Sequence, residues 1–209
     1  MSLVTLSASY GAGGSAVGPR LAERLAVPFV DRVIHSEAVA GASAPLDAAL
    51  RGDDVSSSHL LARLLTSMAP IGGAFGIGEA DAGATSERDL ADAAARTIFE
   101  RADSGRGVIL GRAAAVVLRS DSRALHVRLD GPREARLRQA MRLQGIDREE
   151  AMQRMSDTDP ARYAYVRRFH QADARDPALY HLIIDSTAID LDGCVEIIAL
   201  AARRLEEHR

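Results

Sequence analysis

The sequence predicts an α/β fold: a doubly wound, five-stranded parallel sheet with helices on both faces. Three observations carry this expectation. Five short apolar runs alternate with helical patterns, a glycine-rich turn follows the first run at once, and the polar residues gather just after the runs. Short strands separated by helices need crossover connections, hence parallel pairing. In such sheets ligands bind at the carboxyl ends of the strands.

Leu3 to Ser7 is the first strand, brief and apolar, and it runs into Ser9-Tyr10-Gly11-Ala12-Gly13-Gly14-Ser15. From Ser15 to Ala26 the apolar Val17, Leu21 and Leu25 separate from Arg20, Glu23 and Arg24 at helical spacing. Pro28 stops that helix, and Phe29-Val30 begins a second strand ending at Asp31. Residues 42–84 differ in texture, with many small residues, Pro45, Pro70 and the stretch IGGAFGIGEADAG; a short helix is expected near 58–68 between loops. Glu87 to Ala102 is an amphipathic helix capped by Thr85 or Ser86. Gly107 to Leu110 is a buried strand ending in Gly111-Arg112, and Ala113 to Leu118 a short helix. Ala124 to Leu129 is a strand ending in Asp130-Gly131-Pro132. The chain is then helical and arginine-rich to Arg175, with breaks expected at Gly145 and Pro160. His181 to Ile184 is the last strand, ending in Asp185-Ser186-Thr187, and Asp192 to Glu207 closes the chain as an amphipathic helix.

Composition narrows the chemistry. All 26 basic residues are arginine and none is lysine. This excludes Schiff-base lysine enzymes and a complete Walker A motif. A net charge of −3 argues against a nucleic-acid partner. Cys194 is the single cysteine, so no intrachain disulfide forms, and its apolar helical setting reads as a small core residue. No run is long enough to span a membrane, and the first residues lack a signal-peptide pattern, so a cytoplasmic protein is expected.

The glycine turn is the main functional signal. Successive amides in such a turn form an anion nest, and the helix start adds positive partial charge, so a phosphate fits without a side-chain cation. Counted from Gly11, a strict dinucleotide fingerprint fails at Ala16; its looser form survives, with Asp31 placed as a ribose-binding acid. Against the pattern G-x-x-x-x-G-K-[ST], Gly13 and Ser15 match, Ala8 stands for the first glycine and Gly14 for the lysine.

Taken together, these motifs make the chain resemble the cytidylate kinase-like proteins, a branch of the P-loop nucleoside monophosphate kinases. That family opens with a strand, S-R-E-Y-G-S-G-G, a helix and x-P-F-x-D; here the residues are SASYGAGG and VPFVD. The likeness continues through GVILGRAA (107–114), ALHVRLDGP (124–132), REARLRQAMRLQGI, DPARYAYVRRF (159–169) and HLIIDST (181–187), and omits only about 42–84. Gly14 in the lysine position is within the family's pattern, whereas Ala8 and Ser9 replace its usual Arg-Glu pair.

The resemblance implies a single P-loop NTPase-like domain over 1–209, with a helical lid from 133–176 and an acceptor-binding insert at 42–84. It implies ATP-dependent phosphoryl transfer to a nucleoside monophosphate, CMP-like, or a related small phosphorylated acceptor, with ATP and Mg²⁺ as cofactors. Tyr10, Gly11, Ala12, Gly13, Gly14 and Ser15 would bind the nucleotide phosphates. Arg112 would hold the acceptor's phosphate with its bidentate fork, or form a structural ion pair. Asp31 would contact the acceptor or orient Mg²⁺ waters, or cap a helix from Val33. Ser15 would ligate Mg²⁺ or act as a cap, and Asp130 would stand as a Walker-B-like metal residue or serve its turn. Arg162, with Arg167 or Arg168, would bring lid charge to the transferred phosphate. The other arginines of the region, Arg136 among them, are expected mostly on a solvated, paired face, and His126 and His170 are expected to be structural. The partner is a small-molecule nucleotide; a homodimer is compatible with the sequence. The alternatives are a degenerate kinase that binds nucleotide without catalysis, a kinase for another small metabolite, and a dinucleotide-binding protein.

Overall fold

The computed structural model describes residues 2–30, 87–111 and 113–208. The expected Asp31, Arg112, the Thr85 or Ser86 cap and the whole 42–84 insert lie outside the described residues. Along the chain run β1 (Leu3–Ala8), α1 (Gly14–Leu25), β2 (Phe29–Val30), α2 (Glu87–Asp103), β3 (Gly107–Leu110), α3 (Ala114–Val117), β4 (Ala124–Asp130), α4 (Arg133–Gln144), α5 (Arg148–His170), β5 (Leu182–Asp185) and α6 (Leu191–Glu207). The sheet has five strands in the order β2-β3-β1-β4-β5, and every pairing is parallel. This is the architecture expected from alternating strand and helix patterns.

Strand periodicity divides the core between the two faces. Val4 and Leu6 of β1, with Val127 and Leu129 of β4, point to the side covered by α1 and α6, where Val17, Leu21, Cys194 and Ile198 fill the space. Leu3, Ile109 and Ala124 point to the other side and meet Ile98 and Ala102 of α2, Ala114 of α3 and Leu118. Fully burying each large aliphatic side chain contributes roughly 1.5–3 kcal/mol, so β1, β3 and β4, each packed on both faces, anchor the fold. Cys194 is a buried core residue, and burial pushes its thiol up to about 11. No helix among the described residues is long and apolar enough to cross a membrane.

A third, smaller cluster sits off the sheet. Tyr10 is buried there by Leu137 and Ala140 of α4 and by Ala151 and Met155 of α5. The arginine-rich region is thus two helices packed on the residue that follows β1.

One expectation needs correction. Helix α5 runs unbroken from Arg148 to His170 through Pro160, whereas a break was expected there. A proline inside a helix costs about 3 kcal/mol through its lost N–H and ring clash. Here the preceding Asp159 is fixed by Arg136 and by the Tyr10 amide, so tertiary bonds offset that cost. The other expected break, at Gly145, is real: Gly145 adopts φ 67° and ends α4.

Candidate functional site

The site begins where β1 ends. Ser9 donates its amide to Leu129 of β4, and the chain then turns through Gly11 (φ 75°) and Gly13 (φ 78°) into α1. A side chain at Gly11 would place its Cβ 2.3 Å from the Arg136 carbonyl oxygen, so both backbone angle and close approach demand glycine. Gly13 is the cap of α1 and offers no side-chain cap bond. Ser15 is therefore not the cap: it is the second residue of the helix, exposed, and its hydroxyl has no partner among the described residues. The amides of Gly11, Gly13, Gly14 and Ser15 likewise donate to no group among the described residues. Unpaired amides at a helix start are donors that an anion would satisfy.

Charged side chains surround the turn. Arg162 of α5 donates to the Ala8 carbonyl at 3.1 Å. Arg136 of α4, 8% exposed, donates to the Tyr10 carbonyl at 2.7 Å, to Asp159 Oδ2 at 2.7 Å and to the Gly131 carbonyl at 3.0 Å. Asp159 in turn accepts from the Tyr10 amide at 2.8 Å. Gln139 donates to the Gly11 carbonyl at 3.1 Å, and Ser186, after β5, donates to the Ala12 carbonyl at 2.8 Å. The Tyr10 hydroxyl donates to Gln144 at 2.9 Å, fastening the buried ring to the end of α4.

Arg128 of β4 is the other buried cation. Its guanidinium contacts Asp130 Oδ2 at 2.8 Å, Ser9 Oγ at 2.9 Å and the Ala174 carbonyl at 2.8 Å, and it lies over the rings of Tyr163 and Tyr180. Burial alone would raise the Asp130 carboxyl. The hydrogen bond and charge of Arg128, with help from Ser9 and the Gly131 amide, outweigh burial and hold it below its ordinary value. The same pairing raises Arg128 above its ordinary value despite its own burial.

The residues expected from the sequence are thus distributed as follows. Tyr10 to Ser15 form the turn, Arg162 reaches Ala8 at the end of β1, and Asp130 is in an ion pair with Arg128. Arg167 and Arg168 are exposed further along α5, where Arg168 lies over the ring of Phe169. No group of three or more metal-ligating side chains occurs among the described residues. A hydroxyl such as that of Ser15 suffices for Mg²⁺ that keeps its waters and binds substrate phosphates, so the residues present fit a metal-bound triphosphate. Arg128, Arg136, Gln139, Asp159 and Ser186 were missed. For Arg136 a signal existed: it stands beside Leu137 and four residues before Ala140, on the apolar stripe of its helix.

The comparisons with known proteins bear on family and fold. The model of the cytidylate kinase-like family matches residues 3–188. An uncharacterized protein from Eubacterium ventriosum has a similar structure, with a TM-score of 0.65 at 17% identity, over 97% of this chain and 99% of that one. A sugar kinase from Janibacter sp. gives 0.51 at 16% identity, over 98% and 95%. A gluconokinase from Sinorhizobium meliloti gives 0.50 at 14% identity, over 99% and 97%. No curated protein matches the chain.

Proposed function

The chain belongs to the cytidylate kinase-like family, and from that footing we propose that it transfers a phosphoryl group from ATP to a nucleoside monophosphate, CMP-like, or to a related small phosphorylated acceptor. The observation that carries this reading is the set of amides at Gly11, Gly13, Gly14 and Ser15, left without acceptors among the described residues at the start of α1. Phosphoryl transfer asks a protein for positioning and charge neutralisation more than for covalent chemistry. The turn from Tyr10 to Ser15, Ala12 included, would cradle the β- and γ-phosphates. Ser15 would ligate Mg²⁺, which when bound neutralises charge on the transferring group. Asp130, held ionised by Arg128, would orient water near that ion.

No side-chain cation stands at Gly14, so the compensating charge comes from arginines. Arg162 is tied to the end of β1 and is the first candidate; Arg167 or Arg168 would follow on lid closure. Arg112 would grip the acceptor's phosphate and Asp31 its other polar groups, with 42–84 as the acceptor-binding insert and 133–176 as the lid of a single domain. The acceptor oxygen attacks the γ-phosphorus in line and its bond to the ADP oxygen breaks.

A second reading is favoured by one observation. Gly14 occupies the lysine position and Ala8-Ser9 replace the family's Arg-Glu pair, and a chain without those charges suits a nucleotide-binding protein that does not turn over. One assay separates the two: ATP consumption with Mg²⁺ and a panel of nucleoside monophosphates, run beside calorimetric ATP binding. Turnover with one acceptor supports the kinase. Binding without turnover on any acceptor sinks it in favour of the second reading.

A further inference from the structure

The phosphate turn carries no cation, yet its shape is held from outside. Each carbonyl from Ala8 to Gly13 accepts a hydrogen bond. Ala8 accepts from Arg162, Ser9 from the Ala12 amide, Tyr10 from Arg136, Gly11 from Gln139, Ala12 from Ser186, and Gly13 from the Ala16 and Val17 amides. Four of these six are met by side chains from α4, α5 and the segment after β5, none of which is local in sequence. Carbonyl oxygens repel an anion, and fastening them within the protein leaves the opposite side of the turn to the amides.

The grip is tightest at Tyr10. Its amide donates to Asp159 Oδ1 at 2.8 Å, its carbonyl accepts from Arg136 at 2.7 Å, and the two charged groups bond each other at 2.7 Å. The peptide is enclosed in a small ring of hydrogen bonds. Arg136 and Asp159 are each 8% exposed. A buried ion pair is a poor way to gain stability, because desolvating two charges consumes most of what their attraction returns. An apolar pair would stabilise the α4–α5 contact at least as well, but it could not hold a peptide from both sides.

We propose that Arg136 and Asp159 are positioning residues for nucleotide binding: a clasp, without net charge, that sets the amides of Gly11, Gly13, Gly14 and Ser15 to receive a triphosphate. This rests on the reading of residues 9–15 as the nucleotide's phosphate turn. The clasp touches no substrate; it acts through the backbone that does. Preorganised donors are worth more than donors that must be ordered at the moment of binding.

The test uses titration calorimetry with two probes, ATP and inorganic tripolyphosphate, at a temperature where circular dichroism shows every variant folded. Arg136→Lys keeps the charge and loses the fork; Asp159→Asn keeps the size and loses the charge. Each is expected to weaken both probes about tenfold, the loss of roughly one well-made hydrogen bond in the anion site. Gln139→Ala, which uncaps only the Gly11 carbonyl, is expected to weaken them about threefold. Unchanged affinities in folded variants with lowered melting temperatures overturn the proposal and leave the clasp a fold element only. Loss on ATP with tripolyphosphate unaffected also overturns it, because the effect would then lie away from the phosphates. If neither ion-pair variant folds, Gln139→Ala decides, and unchanged binding there is likewise fatal. A wild-type protein that binds neither probe removes the underlying reading of the turn, and the clasp with it.

Discussion

Arg128 Nη2 lies 2.9 Å from Ser9 Oγ, so a buried cation of β4 is tied to the first residue after β1. The same nitrogen bonds Asp130, and Nη1 bonds the Ala174 carbonyl, so one guanidinium joins the sheet, the turn and the segment that follows α5. Arg128→Met keeps much of the apolar stem and leaves the Asp130 carboxylate with the Gly131 amide at 3.0 Å and Arg136 at 3.5 Å. We expect a loss of about 3 kcal/mol in urea unfolding, at the low end for a broken buried pair because Asp130 is partly exposed. A loss under about 1 kcal/mol would show that Asp130 finds solvent instead.

Gly11 and Gly145 have nearly the same backbone conformation, φ 75° and 67°, and opposite surroundings. Nothing lies within 4 Å of a Cβ built at Gly145, whereas the Arg136 carbonyl crowds one at Gly11. Gly145→Ala should therefore cost only the left-handed strain, about 1–2 kcal/mol. Gly11→Ala should cost visibly more in the same unfolding experiment and abolish ATP binding by calorimetry. Equal costs would mean that α4 yields to the new methyl.

His126, which contacts Thr5 Oγ1 at 2.8 Å, is pushed down to about 4, chiefly by burial and then by neighbouring His181. Its ordinary value is 6.5, so as pH falls through that value the unfolded chain takes up a proton that the fold refuses. Stability should decline from pH 6.5 downward, and this contribution should be fully lost below about 4. His126→Asn, which keeps an acceptor near Thr5, should show a shallower decline across that window in melting temperatures. Parallel pH profiles for the two proteins would exclude His126 as the source.

Arg112→Ala should abolish phosphorylation of the acceptor while ATP binding persists, if Arg112 serves the acceptor's phosphate. Single-turnover assays beside calorimetry give both readouts. Loss of ATP binding instead would move Arg112 to the nucleotide side.

The turn from Tyr10 to Ser15 was legible because its chemistry is local: glycines, a strand before and a helix after are contiguous. The parallel sheet with helices on both faces followed from the alternation of strand and helix patterns, whereas the strand order β2-β3-β1-β4-β5 did not, because it is set by pairings distant in sequence. The clasp was not legible. Arg136 and Asp159 are 23 residues apart, and composition does not distinguish Arg136 from Arg133, Arg138 or Arg142, which are all exposed. Only the packing of α4 against α5 separates one buried guanidinium from its solvated neighbours. Pro160 misled because its local cost is real, and the bonds of Asp159 that offset it lie in another part of the chain.

Helix α5 is 23 residues long, a rod of about 35 Å, and Asp159 is its midpoint. A beam seized at its centre pivots rather than slides: a push on one end swings the other the opposite way. If Arg167 and Arg168 are carried inward, a rigid α5 would swing the end that bears Arg148 outward against the packing of Ala151 and Met155, and its pairing with Glu134 at 2.9 Å would register that tilt on the far side of the fulcrum.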